Sequence, residues 1–390
     1  MISEGIISEL KINSLLAMGY SSPNPPVACV ITDLNDNILS SAHTQKTGFN
    51  HAEREAYLKL GENFSEKHNL YVTLEPCSHF GRTPPCLDLL LKYKPQKVFL
   101  GIKDPNPLVK KVNSITILRE NNIDIEFSLE IQEIANEFLG GYISRIQSGI
   151  PKILIKSALS KEGFYKSKSN NRESISSPIS NNLTQFIRQS IDAIIVGPKT
   201  VYYDSPKLNF RKIDTNLELT FESKDIFFES IKLLMKDTKL INLINNRNNQ
   251  PYRIFMISER YFPDDFFFKK QFDLDKSKNI FICLDKLGLD KQKMLIEISA
   301  NELIFCEKLK FIDTLKFIYN KFNFNTILVE GGNFIYEFFI GEFKKIDKII
   351  EINTETLIKD GVPPFWYNLN KIKKFDSFEL QDNKWIIKGI

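Results

Sequence analysis

The 390-residue sequence lacks most of what would tie it to membranes, secretion or nucleic acid. No segment reaches the uninterrupted apolar length of a membrane span. Met1–Leu10, with Glu4 and Glu9, has no basic leader followed by an apolar run and a small-residue cleavage site. Cysteines number only five (Cys29, Cys77, Cys86, Cys283 and Cys306), an odd count spread thinly, which is unlike a disulfide framework and predicts a reducing, cytoplasmic setting. Neither sign of charge is in excess: 52 basic against 48 acidic residues leave +4, so no grip on nucleic acid is expected. All four histidines lie before residue 80, so no imidazole can transfer protons in the rest of the chain. A Gly-x-Gly-x-x-Gly fingerprint is also missing, which disfavours a standard Rossmann domain.

What is present concentrates between Asn50 and Cys86. His51, Cys77 and Cys86 supply one imidazole and two thiols, a favoured set for a zinc ion that keeps its fourth position open. Glu53, two residues past the histidine, suits a proton carrier rather than a fourth ligand. A lone histidine or cysteine is more often a packed core residue. The combination of His-Ala-Glu, Pro-Cys and a second cysteine, each at a strand-to-helix junction, matches the signature of zinc nucleobase deaminases.

The flanking sequence reads as α/β. Ile6–Met18 predicts an amphipathic helix, 27–32 a buried strand and Asn35-Asp36-Asn37 a hairpin turn. A helix from Ala52, strands at 70–74 and 97–102 and a helix from Cys86 follow, which argues for a mostly parallel sheet with ligands at the carboxyl ends of its strands. Gly149-Ile150-Pro151 breaks the pattern, so two domains are expected, 1–149 and 150–390.

In the second half, strands are expected at 152–156, 192–197, 253–257, 279–283 and 302–306, with Cys283 and Cys306 as core residues. Residues 170–182 read as a polar loop and 183–190 as a short helix. The Lys- and Asn-rich stretch 212–252 reads as a solvated surface excursion. Thr326–Glu330 is a buried strand running into Gly331-Gly332 and a helix, a junction where backbone amides can approach a phosphate, although paired glycines also serve tight turns.

The chain resembles the bifunctional riboflavin-biosynthesis family, diaminohydroxyphosphoribosylaminopyrimidine deaminase and 5-amino-6-(5-phosphoribosylamino)uracil reductase. Thr73–Cys86 reproduces the family's TLEPCSHxGRTPPC without a gap, including the long step between the cysteines. Pro23-Asn24-Pro25, Asp104-Pro105-Asn106-Pro107, Asp192–Arg211 and Val329–Gly332 match further motifs. The resemblance implies a cytidine-deaminase-like domain followed by a dihydrofolate-reductase-like domain. It further implies zinc on His51, Cys77 and Cys86, Glu53 as proton shuttle, and Asn24 on the pyrimidine. NADPH would lie on Leu159, Thr200, Asp204, Ser258 and the segment Gly332, Asn333, Phe334, Ile335, Tyr336, Glu337, Phe338. Arg188, Leu208, Arg211 and Glu330 would hold a phosphoribosylated pyrimidine, and a homo-oligomer is expected.

Some positions depart from the family pattern. Thr44 stands where a histidine is expected and His43 one place earlier; Ala28, Lys111 and Asn113 replace glycines. Glu162 replaces the aspartate of SLDG, Ser174 the tryptophan of WIT, and Ile257 an aspartate. Two other readings follow from these departures and from the zinc motif alone: a deaminase with a degenerate second domain, and an RNA-binding or tRNA-modifying zinc protein.

Overall fold

The structure is a computed structural model that describes residues 1–390 except 82, 111, 169–176, 217–219, 264–277, 299–301, 306–310, 343–345, 370, 382 and 390. It divides into two compact units, 1–150 with 226–240, and 151–225 with 241–390.

The first unit runs α1 (Glu4–Ala17), β1 (Ala28–Thr32), β2 (Ile38–His43), α2 (Ala52–Leu60), β3 (Asn69–Leu74), α3 (Cys86–Tyr93), β4 (Lys97–Ile102), α4 (Pro107–Lys110), α5 (Ser114–Glu120), β5 (Asp124–Phe127) and α6 (Leu129–Ser148). Its sheet has the order β2-β1-β3-β4-β5. Only half of the ladders are parallel: β3, β4 and β5 run together, whereas β1 is antiparallel to both β2 and β3. The sheet is thus mixed rather than mostly parallel, because the short turn after Thr32 can only return the chain as a hairpin. Gly101 on β4 is required by close approach, since a Cβ there would lie 2.6 Å from the Thr73 carbonyl oxygen. The core packs Cys29, Ile31, Ala56, Tyr57, Val72, Leu90, Leu100 and Leu139 between sheet and helices.

The second unit contains β6 (Lys152–Leu159), β7 (Lys166–Ser167), α7 (Pro178–Gln189), β8 (Ala193–Val196) and α8 (Pro198–Asp204). After α9 (Ile226–Leu234) and α10 (Thr238–Arg247) come β9 (Tyr252–Ile257), β10 (Asn279–Cys283), α11 (Leu289–Ile298), β11 (Glu302–Phe305), α12 (Phe311–Phe322), β12 (Thr326–Glu330), α13 (Asn333–Glu337), β13 (Lys348–Asn353), β14 (Gly361–Val362), β15 (Lys373–Leu380) and β16 (Asn383–Gly389). The nine-stranded sheet has the order β11-β10-β9-β8-β12-β6-β13-β16-β15. It is parallel as far as β13 and antiparallel at β16 and β15. Continuous apolar runs such as Ala193–Val196 and Ile280–Cys283 are buried throughout, as strands covered on both faces must be.

Two expectations fail here for identifiable reasons. The helix expected from Leu183 begins five residues earlier, because the Ser177 hydroxyl accepts from Ser180 N and Pro178 occupies the first turn, where a missing N–H costs nothing. The stretch 212–252 is not a solvated excursion. Most of its lysines and asparagines face outward from two helices whose other faces bury Phe227, Phe228, Ile231 and Leu234 on α9, and Ile241 and Ile244 on α10. α9 packs against α1 and α6 within the first unit, with Lys11 Nζ 2.8 Å from Glu229 Oε2. Cys283 is buried as expected, while Cys306 lies outside the described residues.

Candidate functional site

The first site forms where α2 and α3 begin. His51 precedes α2 as its N-cap in extended conformation, and Glu53 in the first turn is 4 % exposed. β3 delivers Glu75-Pro76-Cys77, and Cys86 opens α3. These junctions bring His51 Nδ1 to 3.5 Å from Cys77 Sγ and 3.6 Å from Cys86 Sγ. All three donor atoms lie within 4.8 Å of one another. The Cys86 amide donates to Cys77 Sγ at 3.3 Å and the Leu87 amide to the Cys77 carbonyl at 3.1 Å, so the start of α3 fixes the first sulfur.

One nitrogen and two sulfurs at this separation fit a tetrahedral zinc ion, with Glu53 beside rather than among the donors. The electrostatics agree. The hydrogen bond from Cys86 and that with His51 hold the Cys77 thiol well below its ordinary value against the cost of burial, while the bond to Cys77 and burial push the Cys86 thiol up. Burial and the neighbouring Cys77 raise the Glu53 carboxyl, which favours a group that takes up and returns a proton.

The loops around this centre are braced. Ser78 Oγ donates to the Val109 and Val112 carbonyls at 3.3 and 3.1 Å. Glu75 accepts from Ser114 Oγ at 2.5 Å and from the Asp104 amide at 3.2 Å. Asn113, where the family has glycine, caps α5 by accepting from Thr116 N at 3.1 Å. Asn24 lies in the Pro23–Pro26 loop and donates its amide to Ser21 O at 3.0 Å. Thr44 Oγ1 accepts from Val27 N at 3.3 Å, while His43 is buried at the end of β2 with Nδ1 3.0 Å from Thr44 O. His79 Nδ1 is buried without a partner among the described residues, and Phe80 beside it is exposed.

A second cluster forms at the carboxyl end of the large sheet. The register Val329–Ile155 places Glu330 and Lys156 side by side, one step past the last ladder pair. Arg188 Nη2 donates to both Glu330 oxygens at 3.0 and 3.3 Å, and Nη1 donates to the Asn209 carbonyl at 3.3 Å. Arg188 Nε and Asn209 Oδ1 are buried and have no partner among the described residues. Burial drives the Glu330 carboxyl up, but Arg188, Lys156 and Arg211 outweigh it and leave its pKa below the ordinary value. Burial, reinforced by Arg188, holds the Lys156 ammonium below its ordinary value despite Glu330. One carboxylate among three cations leaves an excess of positive charge with unused donors, suited to an anionic ligand.

Lys156 was not singled out from the sequence. The available signal was a lysine interrupting a largely apolar run, Ile153-Leu154-Ile155-Lys156-Ser157-Ala158-Leu159, where an unpaired charge is costly.

The residues expected to hold NADPH divide. Thr200 abuts Gly331, whose φ of +134° suits glycine and whose Cβ would lie 3.0 Å from Thr200 Oγ1. The rings of Tyr202 and Tyr203 on α8 lie 6.0 and 6.3 Å from Tyr261, three residues past Ser258. α8 therefore joins Thr200 and Asp204 to both the glycine pair and the Ser258 turn. Leu159, Ile335, Tyr336 and Phe338 are buried, so their side chains serve the core, whereas Phe334 and Glu337 are exposed. The Tyr165 hydroxyl accepts from Asn333 N at 3.3 Å and would lie 3.1 Å from a Cβ at Gly332. Thr200, Asp204, the glycine pair, Asn333, Phe334 and Glu337 thus remain at least partly accessible. Leu208, buried with φ +51°, and exposed Arg211, whose amide donates to Gln185 Oε1 at 2.7 Å, border the charged cluster.

Fold and site together define a two-unit α/β protein that pairs a deaminase-type zinc centre with a reductase-type sheet. Residues 10–102 match the cytidine and deoxycytidylate deaminase zinc-binding region, and residues 151–346 match the RibD C-terminal domain. The chain belongs to the RibD C-terminal domain family. It is 33 % identical over 240 residues to riboflavin biosynthesis protein RibD of Buchnera aphidicola, covering 61 % of this chain and 63 % of that protein. With RibD of Escherichia coli it shares 31 % identity over 231 residues, 59 % of this chain and 62 % of the relative. The matched stretch is therefore less than two thirds of either relative. Solved structures share the fold along almost the whole chain. Acinetobacter baumannii RibD superposes with a TM-score of 0.75 at 23 % identity, covering 99 % of this chain and 97 % of that one. The Thermotoga maritima deaminase/reductase has a TM-score of 0.75 at 19 % identity, with 99 % of each chain covered.

Proposed function

We propose that this chain carries out two successive steps of riboflavin biosynthesis: hydrolytic deamination of 2,5-diamino-6-(5-phosphoribosylamino)pyrimidin-4-one, then NADPH-dependent reduction of the ribosyl side chain to ribityl. The observation that carries the reading is the convergence of His51 Nδ1, Cys77 Sγ and Cys86 Sγ beside a buried Glu53. Zinc held there supplies Lewis acidity that makes hydroxide available at neutral pH. Glu53 takes a proton from the attacking water and returns it to the amino group that leaves as ammonia. Asn24 hydrogen-bonds the pyrimidine.

In the second unit, Arg188 and Arg211 hold the substrate's phosphate and Glu330 accepts from its polar hydrogens. Thr200, Asp204, Ser258 and the Gly332–Phe338 segment, the last largely through its backbone, would hold NADPH for reduction at the anomeric carbon of the opened ribosylamine. Leu159 and Leu208 shape the walls behind these groups. NADPH supplies the hydride, and the protein contributes position and electrostatics.

The unit boundary at 150/151 supports domains at 1–149 and 150–390, with α9 lent to the first. No described helix is long and apolar enough to cross a membrane. A cytoplasmic homo-oligomer acting on small molecules, without nucleic acid, completes the reading. One coupled assay tests it, following ammonia release and NADPH oxidation together from the diaminopyrimidine substrate. Ammonia without NADPH oxidation would leave a deaminase with a degenerate second unit, and neither product would sink the whole reading.

A further inference from the structure

We propose that Tyr142 and Arg145 on α6 form a strut that holds the Pro23–Asn24 loop and the Asp104–Pro107 loop at the spacing the deaminase substrate requires. The inference deepens the deaminase reading above and rests on it. The two residues are three apart, so they share one face of the helix. Arg145 Nη2 donates to the Pro23 carbonyl at 2.9 Å, and its guanidinium lies 5.6 Å from the centre of the Tyr142 ring. The Tyr142 hydroxyl donates to Asp104 Oδ1 at 3.1 Å, an oxygen that also accepts from the Asn106 amide at 2.8 Å. Asp104 in turn donates its amide to Glu75 Oε2 at 3.2 Å, two residues before Cys77. A single run of contacts therefore joins the Asn24 loop to the loop that carries the first sulfur. Tyr142 and Asp104, at its middle, are 4 % and 5 % exposed.

The Asn24 loop has particular need of such support. Pro23, Pro25 and Pro26 have no N–H, so the loop is fastened mainly through its carbonyls, from within by Ser21 Oγ on Asn24 O at 3.2 Å and Val27 N on Pro25 O at 2.9 Å, and from outside by donors on other segments. Thr47 Oγ1 supplies a neutral donor to Ser22 O at 3.1 Å. Arg145 supplies the charged one, and a charged donor forms the stronger bond. Neither α6 residue is placed against the metal donors or Glu53. Both act through the Asn24 loop and the Asp104–Pro107 loop as positioning residues.

The test uses the full-length, zinc-loaded chain and compares Arg145→Ala, Arg145→Lys, Tyr142→Phe and the double variant Tyr142→Phe/Arg145→Ala with the parent. Steady-state ammonia release is measured alongside zinc content and hydrogen exchange at the amides of Ser21, Ser22, Asn24, Asp104 and Asn106. Arg145→Ala is expected to raise KM about tenfold while kcat changes by less than about threefold, the pattern of lost binding rather than lost chemistry. Zinc content should hold, exchange should quicken in both loops, and Arg145→Lys should recover part of the KM. The double variant should cost less than the two singles combined, because each breaks the same strut.

Unchanged KM and exchange in Arg145→Ala, fully additive effects, or parallel loss of zinc and kcat would each overturn the proposal. A parent chain that releases no ammonia would instead overturn the deaminase reading, and the exchange measurement would still decide whether the strut exists.

Discussion

Phe228→Ala separates a packed helix from a solvated excursion more sharply than any change at the active centres. Phe228 is 0 % exposed on α9, with the Phe227 ring 5.4 Å away and edge-on. Truncating a fully enclosed phenylalanine to alanine removes its transfer free energy and leaves a cavity, costing about 3–5 kcal/mol. A residue on a solvated loop costs less than about 0.5 kcal/mol. Because α9 belongs to the first unit, the loss should fall there. Trp366 and Trp385, the chain's two tryptophans, both lie in the second unit, so their fluorescence reports that unit, and zinc release to a chromogenic chelator reports the first. With a urea slope of about 2 kcal/mol per molar, the zinc-release midpoint should fall by roughly 2 M while the fluorescence midpoint moves far less. A shift of zinc release below about 0.3 M, or a shift confined to fluorescence, would refute the packing argument. Lys11→Met provides a contrast: its ion pair with Glu229 is partly exposed, so less than about 1 kcal/mol should be lost.

Three further outcomes are expected. Glu53→Gln should keep zinc in elemental analysis while ammonia release falls about 10²–10⁴-fold, whereas Cys77→Ser should lose the metal; zinc loss in the glutamine variant would recast Glu53 as a ligand. Arg211→Ala, at an exposed position, should leave the unfolding free energy followed by fluorescence within about 0.5 kcal/mol of the parent and raise the KM for NADPH-dependent reduction without touching ammonia release. His68 is fully enclosed, with Nε2 2.8 Å from the Tyr57 hydroxyl and Nδ1 2.7 Å from the Glu66 carbonyl. Burial lowers its pKa, partly opposed by the Glu66 carbonyl, so the unfolded chain binds the proton more readily. Its contribution should be present above the unfolded value of about 6.5 and lost as pH falls below it; His68→Gln should flatten the change in urea midpoint between about pH 7.5 and 5.5, and an unaltered slope would count against the assignment.

The metal centre was legible in the sequence because its chemistry is local and its residue types are scarce. His51 and Glu53 share one helical turn, Cys77 and Cys86 bracket one insert, and four histidines in 390 residues leave little room for coincidence. Lys156, Tyr142 and Arg145 were not legible for the opposite reason. Lysine, tyrosine and arginine are common, and each acquires its role from geometry that links distant segments: β6 against β12, or the phase of α6 against loops about 40 and 120 residues away. The stretch 212–252 misled because composition averages over a helix. α9 and α10 each bury one stripe, and a count of Lys and Asn records only the other.

Motif departures in the second unit carry different weight once their atoms are placed. Glu162, in place of aspartate, accepts from the Ser160 hydroxyl at 2.8 Å and from the Ile358 amide at 2.9 Å. It closes a turn in which Gly163, at φ +84°, passes against the Tyr367 ring. The extra methylene is absorbed on an exposed side chain, so this replacement takes no acceptor away from the turn. Ile257 ends β9 opposite Cys283, and both are buried among apolar strands, where an aspartate would need a partner for its charge. Apolar packing has replaced an acceptor there, beside Ser258, so any loss of cofactor affinity should be sought at that turn rather than at Glu162. Ser174 lies outside the described residues. Reinstating aspartate at 257 should therefore lower stability, and a gain in NADPH affinity that accompanies the loss would identify the Ser258 turn as the weak point of the second unit.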